Sequence, residues 1–128
     1  MENDSLEKTF ATIDRGNYCE HLLRLNYVIT DNQSWKDLWM EVKSATVPDS
    51  RLPRIDFDKE MVIGVFMGNR STGGYSVEIT NLIEKDDSLE VYVCENTPKV
   101  GGMRTMGFSQ PYHVIKSEKS EKEVKFLF

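Results

Sequence analysis

The sequence predicts an α+β, mainly β domain: an antiparallel sheet or sandwich of about six or seven strands with one amphipathic helix packed on it. Apolar and polar residues alternate in several separate segments, as they do in strands with one buried face. The connections between these segments are too short for crossover helices, which favours antiparallel pairing. A helical period occurs clearly in one place, at about residues 32–44.

Length and charge restrict the class of protein. The chain has 128 residues, so we expect residues 1–128 to form a single domain, with residues 1–8 frayed. Hydrophobic residues make up 39% and aromatic residues 10%, which argues against disorder. The net charge of −5 argues against nucleic acid as a partner, since phosphate binding requires a basic surface.

The N-terminus does not resemble an export signal. It lacks a basic start followed by an apolar run, and the chain has no apolar stretch near the roughly 20 residues of a membrane span. We therefore expect no membrane partner and a cytoplasmic location for the chain as given. An extracellular location would follow if the chain were excised from a longer exported protein.

The sequence pattern indicates the first elements less clearly than the later ones. Residues 10–14 alternate and are followed by the turn residues Gly16-Asn17, which indicates a short strand. Residues 18–30 fit either a strand or a helix, and the alternation from Leu23 to Ile29 favours a strand that ends at Thr30.

The clearest helix follows. Asp31-Asn32 can cap its start, and Trp35, Leu38, Trp39 and Val42 then share one face at i, i+3, i+4 and i+7. A tryptophan pair four residues apart could form a ligand-stacking platform. We favour an anchor that fixes the helix onto the sheet, because large aromatic side chains contribute most when they are buried.

After a loop at residues 44–60, the pattern becomes strongly β. Residues 61–67 are apolar on both faces, as expected for a central strand covered on both sides. Alternation returns in the segments 75–80, 91–94, 112–115 and 124–128. Lysine and glutamate in the segment 116–125 indicate a solvated hairpin.

The two cysteines do not form a disulfide framework. We interpret Cys19 and Cys94 as separate small core residues, with a single bridge between them as the alternative. A reactive pair is disfavoured because the chain has no Cys-x-x-Cys spacing.

Two glycine-rich loops are distinctive. They span residues 68–74 and 98–111, and together they hold six of the eight glycines. No acid occurs from Asn96 to Ser117, although the protein is acidic. In a simple antiparallel arrangement both loops lie at one end of the domain, where Arg70, Lys99 and Arg104 would form a small positive patch.

Such an end could bind a partner. Thioether and aromatic side chains in the longer loop suit a protein surface, and backbone amides with guanidinium groups suit an anion. The alternative is that both loops are hairpin tips that need glycine for positive φ. The predicted binding residues are Arg70, Thr72, Gly73, Gly74, Tyr75, Lys99, Gly101, Gly102, Met103, Arg104, Met106, Phe108 and Tyr112.

No motif indicates catalysis. The glycines do not match a P-loop or a dinucleotide fingerprint, and neither Cys19-x-His21 nor His113 has zinc-ligand spacing. Ser76 could approach His113 in the sheet, but no nucleophile-elbow sequence surrounds it. We interpret His113 as a strand histidine with a hydrogen-bond partner, and we predict no catalytic residue, metal or cofactor.

A set of segments resembles the C-terminal domain of PrcB, a subunit of a bacterial protease complex. The segments are Asp56-Phe57, Glu60–Gly68, Thr72–Ile79, Pro98 and Pro111–Lys116. The resemblance spans about residues 35–125, with Trp35 and Trp39 at a helix where such domains often carry a tryptophan. Ser71 stands where they often carry proline.

The resemblance implies a small non-enzymatic domain tied to the assembly or stability of an extracellular protease. It supplies no catalytic residue to carry over. A looser analogy of layout exists with chagasin-like inhibitors of cysteine proteases, which present a Thr-Gly-Tyr loop and a Gly-rich loop from one end. Here Thr72-Gly73-Gly74-Tyr75 and Gly101-Gly102 are similar, and Gln110-Pro111-Tyr112 is the nearest match to the third inhibitor loop.

These observations favour protein or peptide binding through the two loops, with a protease among the partners considered. A small-molecule or anion site lined by Tyr75, Tyr112, His113 and Arg70 is one alternative, and a chagasin-like inhibitor is another. A third alternative is a purely structural domain, whose C-terminal segment 126–128 would pair at a sheet edge with another chain.

Overall fold

The computed structural model describes residues 5–43, 52–99 and 106–128. Within them the chain is mainly β, with one helix and several antiparallel sheets, which confirms the predicted fold class. The elements are β1 Leu6–Lys8, β2 Phe10–Gly16, β3 Arg24–Ile29, α1 Asn32–Lys43, β4 Glu60–Met67, β5 Arg70–Thr72, β6 Ser76–Glu84, β7 Ser88–Asn96, β8 Met106–Ser109, β9 Tyr112–Glu118 and β10 Glu123–Leu127. The described residues contain ten strands, whereas the sequence predicts about six or seven. The three shortest strands, β1, β5 and β8, account for the difference.

The strands form two four-stranded sheets and a separate two-stranded ribbon. Sheet A has the order β1-β6-β7-β10, and sheet B has the order β2-β9-β4-β3. The ribbon consists of β5 and β8. The described pairings are antiparallel, except that β10 runs parallel to β7.

The parallel strand corrects the prediction of a C-terminal hairpin over residues 116–125. β9 ends in sheet B, whereas β10 lies in sheet A, so the short link between them passes from one sheet to the other. Alternation along a strand reports which residues are buried but not which sheet the strand joins. The C-terminal segment assigned to pairing with another chain instead pairs with β7, through Phe126 opposite Val91.

The main core lies between the two sheets. β4 sends Met61, Ile63, Val65 and Met67 into this core, where they meet apolar residues of β6 and β7. The intervening residues Val62 and Phe66 pack into a second cluster with α1. β4 is therefore buried on both faces, as its continuous apolar sequence predicts.

α1 covers the outer face of sheet B. Trp35 is fully buried, and its Nε1 donates a hydrogen bond to the Pro53 carbonyl at 2.9 Å. Trp39 is also buried in the cluster with β4 and β9, which confirms that the tryptophan pair anchors the helix. Asp31 caps the start, because its carboxylate accepts bonds from the backbone N–H of Ser34 at 2.9 Å and from the Ser34 hydroxyl at 2.8 Å. α1 is too short and too polar to span a membrane, and no other helix occurs in the described ranges.

The N-terminal part differs from expectation in two places. Residues 6–8, expected to fray, form β1 and pair with β6. The ambiguous segment 18–30 contains a strand only from Arg24 to Ile29, and residues 17–23 lead into it without regular structure. Leu22 and Leu23 are both exposed, so they do not continue the alternation of buried and exposed residues in β3.

Candidate binding surface at the glycine-rich end

The ribbon of β5 and β8 joins the two glycine-rich loops. Arg70 pairs with Ser109 and Thr72 pairs with Met106, with an irregularity between the two pairs. The Ser109 hydroxyl donates a hydrogen bond to the Thr72 carbonyl at 2.8 Å. The described parts of the two loops therefore lie at one end of the molecule, as their spacing predicts.

Two glycines make this close packing possible. Gly68 has φ +81°, and a Cβ there would lie 2.9 Å from the Arg24 nitrogen. Gly74 has φ +90°, and a Cβ there would lie 3.0 Å from the Pro98 ring. Both positions combine a left-handed backbone with a close neighbour, so a larger residue would be strained at either one. The contact between Gly74 and Pro98 also brings the end of the first loop against the start of the second.

Gln110 attaches a third segment to this end. Its backbone N–H donates to the Asn17 carbonyl at 2.7 Å, and its side-chain oxygen accepts from the Cys19 N–H at 3.3 Å. Its side-chain nitrogen donates to Asn69 Oδ1 at 2.7 Å. Asn69 also donates its backbone N–H to the Leu22 carbonyl at 3.0 Å. Residues 17–23 are thereby held against the base of the ribbon.

Large apolar side chains are exposed at this end. The exposed fractions are 65% for Phe108, 63% for Tyr18, 56% for Leu22 and 64% for Leu23. Several exposed apolar side chains on neighbouring segments are typical of an interaction site, whereas scattered single ones are ordinary. We refer to Tyr18, Leu22, Leu23, Phe108 and Arg70 together as the glycine-end surface.

Two of the three basic residues of the predicted patch, Arg70 and Lys99, are described at this end. The Arg70 guanidinium lies 5.4 Å from the centre of the Tyr75 ring, a cation–π distance that holds it over the first loop. Its Nε is buried and has no hydrogen-bond partner in the described ranges. Lys99 is exposed. Arg104, the third member of the predicted patch, lies outside the described residues.

The predicted binding residues are therefore only partly located. Arg70, Thr72, Gly73, Gly74, Tyr75, Lys99 and Phe108 all lie at the glycine-rich end. Gly101, Gly102, Met103 and Arg104 lie outside the described residues. Met106 contributes backbone to β8, and its side chain is not described.

Tyr112 is the exception among the predicted binding residues. Only 3% of it is exposed, and its ring stacks on Phe66 in the cluster beneath α1. Its hydroxyl donates to Asp14 Oδ2 at 2.9 Å, and Lys43 Nζ lies 2.6 Å from the same oxygen. Burial, followed by the bond to Asp14, raises the pKa of the Tyr112 phenol. Tyr112 therefore joins α1, β2 and β9 and is not available to a partner.

His113 faces the opposite side of sheet B. Its Nδ1 accepts the backbone N–H of Ile79 at 2.9 Å, so its other nitrogen carries the proton and donates to Thr12 Oγ1 at 2.8 Å. Burial, with a smaller effect of Arg15, lowers the pKa of His113 to about 4. The prediction of a strand histidine with a satisfied partner is confirmed. Because Ile79 and Thr12 occupy both ring nitrogens, Ser76 does not form a nucleophile–base pair with His113; its hydroxyl accepts a bond from the Asn96 amide at 3.0 Å.

A pocket lined by Tyr75 and Tyr112 would favour the small-molecule alternative. Tyr112 packs in the cluster beneath α1, whereas Tyr75 packs against the core between the sheets. The two rings therefore lie on opposite sides of sheet B and cannot line one cavity. The described residues therefore do not form the pocket that would favour a small-molecule site, and that alternative stays a prediction.

The two cysteines differ. Cys19 is buried, as predicted, and burial raises the pKa of its thiol to about 11. Cys94 is exposed, so its assignment to the core is wrong. It follows Val93 in β7, and the alternation places it on the outer face of sheet A. Both thiols are free, so the bridge alternative is also wrong.

The segment before β3 contributes surface residues that were not among the predicted binding residues. Tyr18, Leu22 and Leu23 were interpreted as part of an ambiguous strand, whereas they form much of the exposed apolar surface. The adjacent pair Leu22-Leu23 was the available indication, because adjacent apolar residues before an alternating segment cannot both face the core.

The family comparison covers the central strands. The model of the PrcB C-terminal family matches residues 61–118, from β4 to the end of β9, and includes both glycine-rich loops. The predicted resemblance is confirmed over these residues. The match is shorter than the predicted span of about 35–125 and does not include α1 with its tryptophans. No curated protein and no solved structure gives a significant match to the chain.

Proposed function

We propose that this chain is a non-enzymatic protein- or peptide-binding domain whose partner contacts the glycine-end surface. The observation that supports this most strongly is the exposure of Phe108, Tyr18, Leu22 and Leu23 on segments that hydrogen bonds hold together. An apolar surface on a fixed framework gives up little conformational freedom when it binds.

The chemistry of the surface suits a polypeptide. Aromatic and aliphatic side chains supply contact area, and Arg70 held over Tyr75 can meet a carboxylate or a backbone carbonyl. The family match adds a class of partner: we propose that the domain contributes to the assembly or stability of a protease.

A chagasin-like inhibitor is less well supported. Such an inhibitor presents three loops from one end, whereas Pro111 and Tyr112 of the third segment are buried here. Titration of papain with the protein tests this alternative, and we expect no inhibition.

The main experiment measures binding to selected peptides. A displayed random peptide library is selected on wild-type protein, and the affinities of the recovered peptides are then measured for Phe108→Ala and Leu23→Ala. Central apolar contacts typically contribute 2 kcal/mol or more, so we expect an affinity loss of roughly 30-fold or more. Met40→Ala is the matched control, because Met40 is also a large exposed apolar residue, at 55%, but lies on α1.

The result that contradicts the proposal is an unchanged affinity in both surface variants, or an equal loss in the Met40 control. The protease part is tested separately by capture from native lysate on wild type and on Phe108→Asp, followed by casein zymography. Protease activity retained equally by both proteins, or by neither, contradicts that part alone.

A further inference from the structure

The two sheets have four edge strands, and three of them are protected. β1 has only three residues. β2 is interrupted by a register shift between Thr12 and Asp14, and β10 carries alternating charged residues such as Lys125. Short length, bulges and charge all prevent another strand from pairing at an edge.

The fourth edge, β3, lacks these protections. It pairs with β4 over six residues without a register shift, and its sequence contains no proline, glycine or lysine. Its one charged residue, Arg24, lies at the start of the strand and is paired with Glu95 at 2.7 Å. Leu25 and Val28 are 43% and 40% exposed. In the described part of the chain, no strand lies on its outer side.

The pairing register shows which backbone groups point outward. Met67 donates its backbone N–H to Pro111, on the β9 side of β4, and Met67 is opposite Arg24. Their pair is therefore of the non-hydrogen-bonded type, and the same holds for every second residue along β3. The N–H and C=O groups of Asn26 and Val28 consequently point away from β4, where a further strand would bind them.

A groove runs beside this edge, between β3 and α1. Its volume is ≈ 310 Å³, and its lining residues are Tyr27, Val28, Ile29, Ser34, Asp37, Leu38 and Glu41. The lining contains two carboxylates and no lysine or arginine. Asp37 accepts one bond from Gln33 at 3.0 Å, and Glu41 lies 3.8 Å from His21 Nε2 and is half exposed. The groove is apolar at its base and negative along α1.

We infer that β3 accepts an extended segment of a partner protein as an added strand, with a lysine or arginine of that segment in the groove beside Asp37 and Glu41. Side chains of a strand alternate, so the neighbouring residues of the segment lie beside exposed Val28 and are apolar. This site is separate from the glycine-end surface and does not depend on the proposed function.

A second copy of the chain fits the same edge less well. Antiparallel pairing of two β3 strands about a two-fold axis perpendicular to the sheet would place both α1 helices on the same face of the joined sheet. Asp37 and Glu41 of each copy would then approach those of the other. Like charges at such an interface oppose association, and each copy already carries a net charge of −5.

The test uses two capped synthetic peptides, one alternating valine with lysine and one alternating valine with glutamate. We expect the wild-type protein to bind the lysine peptide about tenfold more tightly at low salt, and the double variant Asp37→Lys/Glu41→Lys to prefer the glutamate peptide. Asp87→Lys/Glu121→Lys is the matched control, because both acids are exposed, lie outside the groove and give the same charge change. Equal binding of both peptides to the wild type, or reversal by the control, overturns the inference.

Two further measurements test the edge itself. Val28→Pro removes an outward N–H without breaking the pairing with β4, so we expect it to abolish peptide binding.

In the wild type, hydrogen exchange at the backbone amides of Asn26 and Val28 should be fast without peptide and slow with it, while the amide of Tyr27 is protected throughout. Unchanged exchange at Asn26 and Val28 overturns the inference. A wild-type dimer that Val28→Pro dissociates overturns it as well, because a second copy would then be the occupant. Phe108→Ala should leave peptide binding at β3 unchanged, which separates this site from the glycine-end surface.

Discussion

At the scale of single residues, His113 links the two sheets. It lies on β9 in sheet B, and its Nδ1 accepts the N–H of Ile79 on β6 in sheet A. This bond requires a neutral imidazole, because a protonated ring has no acceptor nitrogen. Burial favours the same neutral form, so the two effects act in the same direction.

We expect the free energy of unfolding to decrease as the pH is lowered, because of His113. Its pKa of about 4 in the folded protein is below the ordinary 6.5, so the unfolded chain takes up the proton first. The contribution of His113 to the free energy of unfolding is complete above pH 6.5 and decreases as the pH falls toward 4, by about 3 kcal/mol in total. Urea unfolding at several pH values measures this slope. His113→Asn should be less stable at pH 7 but lose that slope between pH 6.5 and 4.5; an unchanged slope would contradict the assignment.

The cysteines should differ in reactivity by a large factor. Cys94 is exposed, whereas Cys19 is buried, with its thiol 3.6 Å from the Gln110 carbonyl and its pKa raised to about 11. The thiolate is the reactive form, so we expect one fast thiol per folded chain with a disulfide reagent. Cys94→Ser should remove the fast phase, and Cys19→Ser should retain it. Two fast thiols in the wild type would show that Cys19 is accessible.

Tyr112 shows the limit of prediction at this scale. Its position after a glycine-rich loop made it a reasonable binding residue, but alternation along β9 turns it under α1. Tyr112→Phe should cost about 1 kcal/mol through the lost bond to Asp14 and leave peptide binding unchanged. Chemical unfolding and the binding assay above measure the two effects. Reduced binding without loss of stability would restore Tyr112 to the site.

At the scale of elements, α1 depends on the residue that precedes it and caps it. Asp31 accepts bonds from the Ser34 backbone and hydroxyl, and the pKa of its carboxyl is lowered, first by the backbone bond. We expect Asp31→Ala to lower the free energy of unfolding by about 1 kcal/mol. Asn32→Ala, one residue further on, is the control and should have a much smaller effect. Equal losses in the two variants would mean that the cap does not stabilise the helix.

The sequence predicts elements well where one period persists. α1 has a single apolar stripe, and β4 has a continuous apolar run, so their type and burial were predictable. β5 and β8 are too short for alternation to identify, although glycine content located their loops. The parallel pairing of β10 was not predictable, because strand order is decided by contacts between distant parts of the chain.

At the scale of the whole molecule, the family match and the folded unit have different boundaries. Residues 61–118 include β4 and β9 but not α1, which covers one face of both strands. Without α1, the side chains of Val62, Phe66, Tyr112 and Val114 would be exposed to solvent. Each such burial contributes roughly 1.5–3 kcal/mol, so the loss is comparable with the roughly 5–15 kcal/mol that stabilise a whole domain.

We therefore expect a fragment of residues 61–118 not to fold alone. It lacks α1 on one side, and it lacks β10, whose Val124 and Phe126 pack against the core between the sheets. Thermal unfolding and amide NMR dispersion, compared with the full chain, provide the measurement. A cooperative transition in the fragment would show that the central strands form an independent unit. Its absence would mean that the flanking segments, including the unprotected edge β3 and the groove beside α1, belong to the same folding unit as the glycine-rich loops.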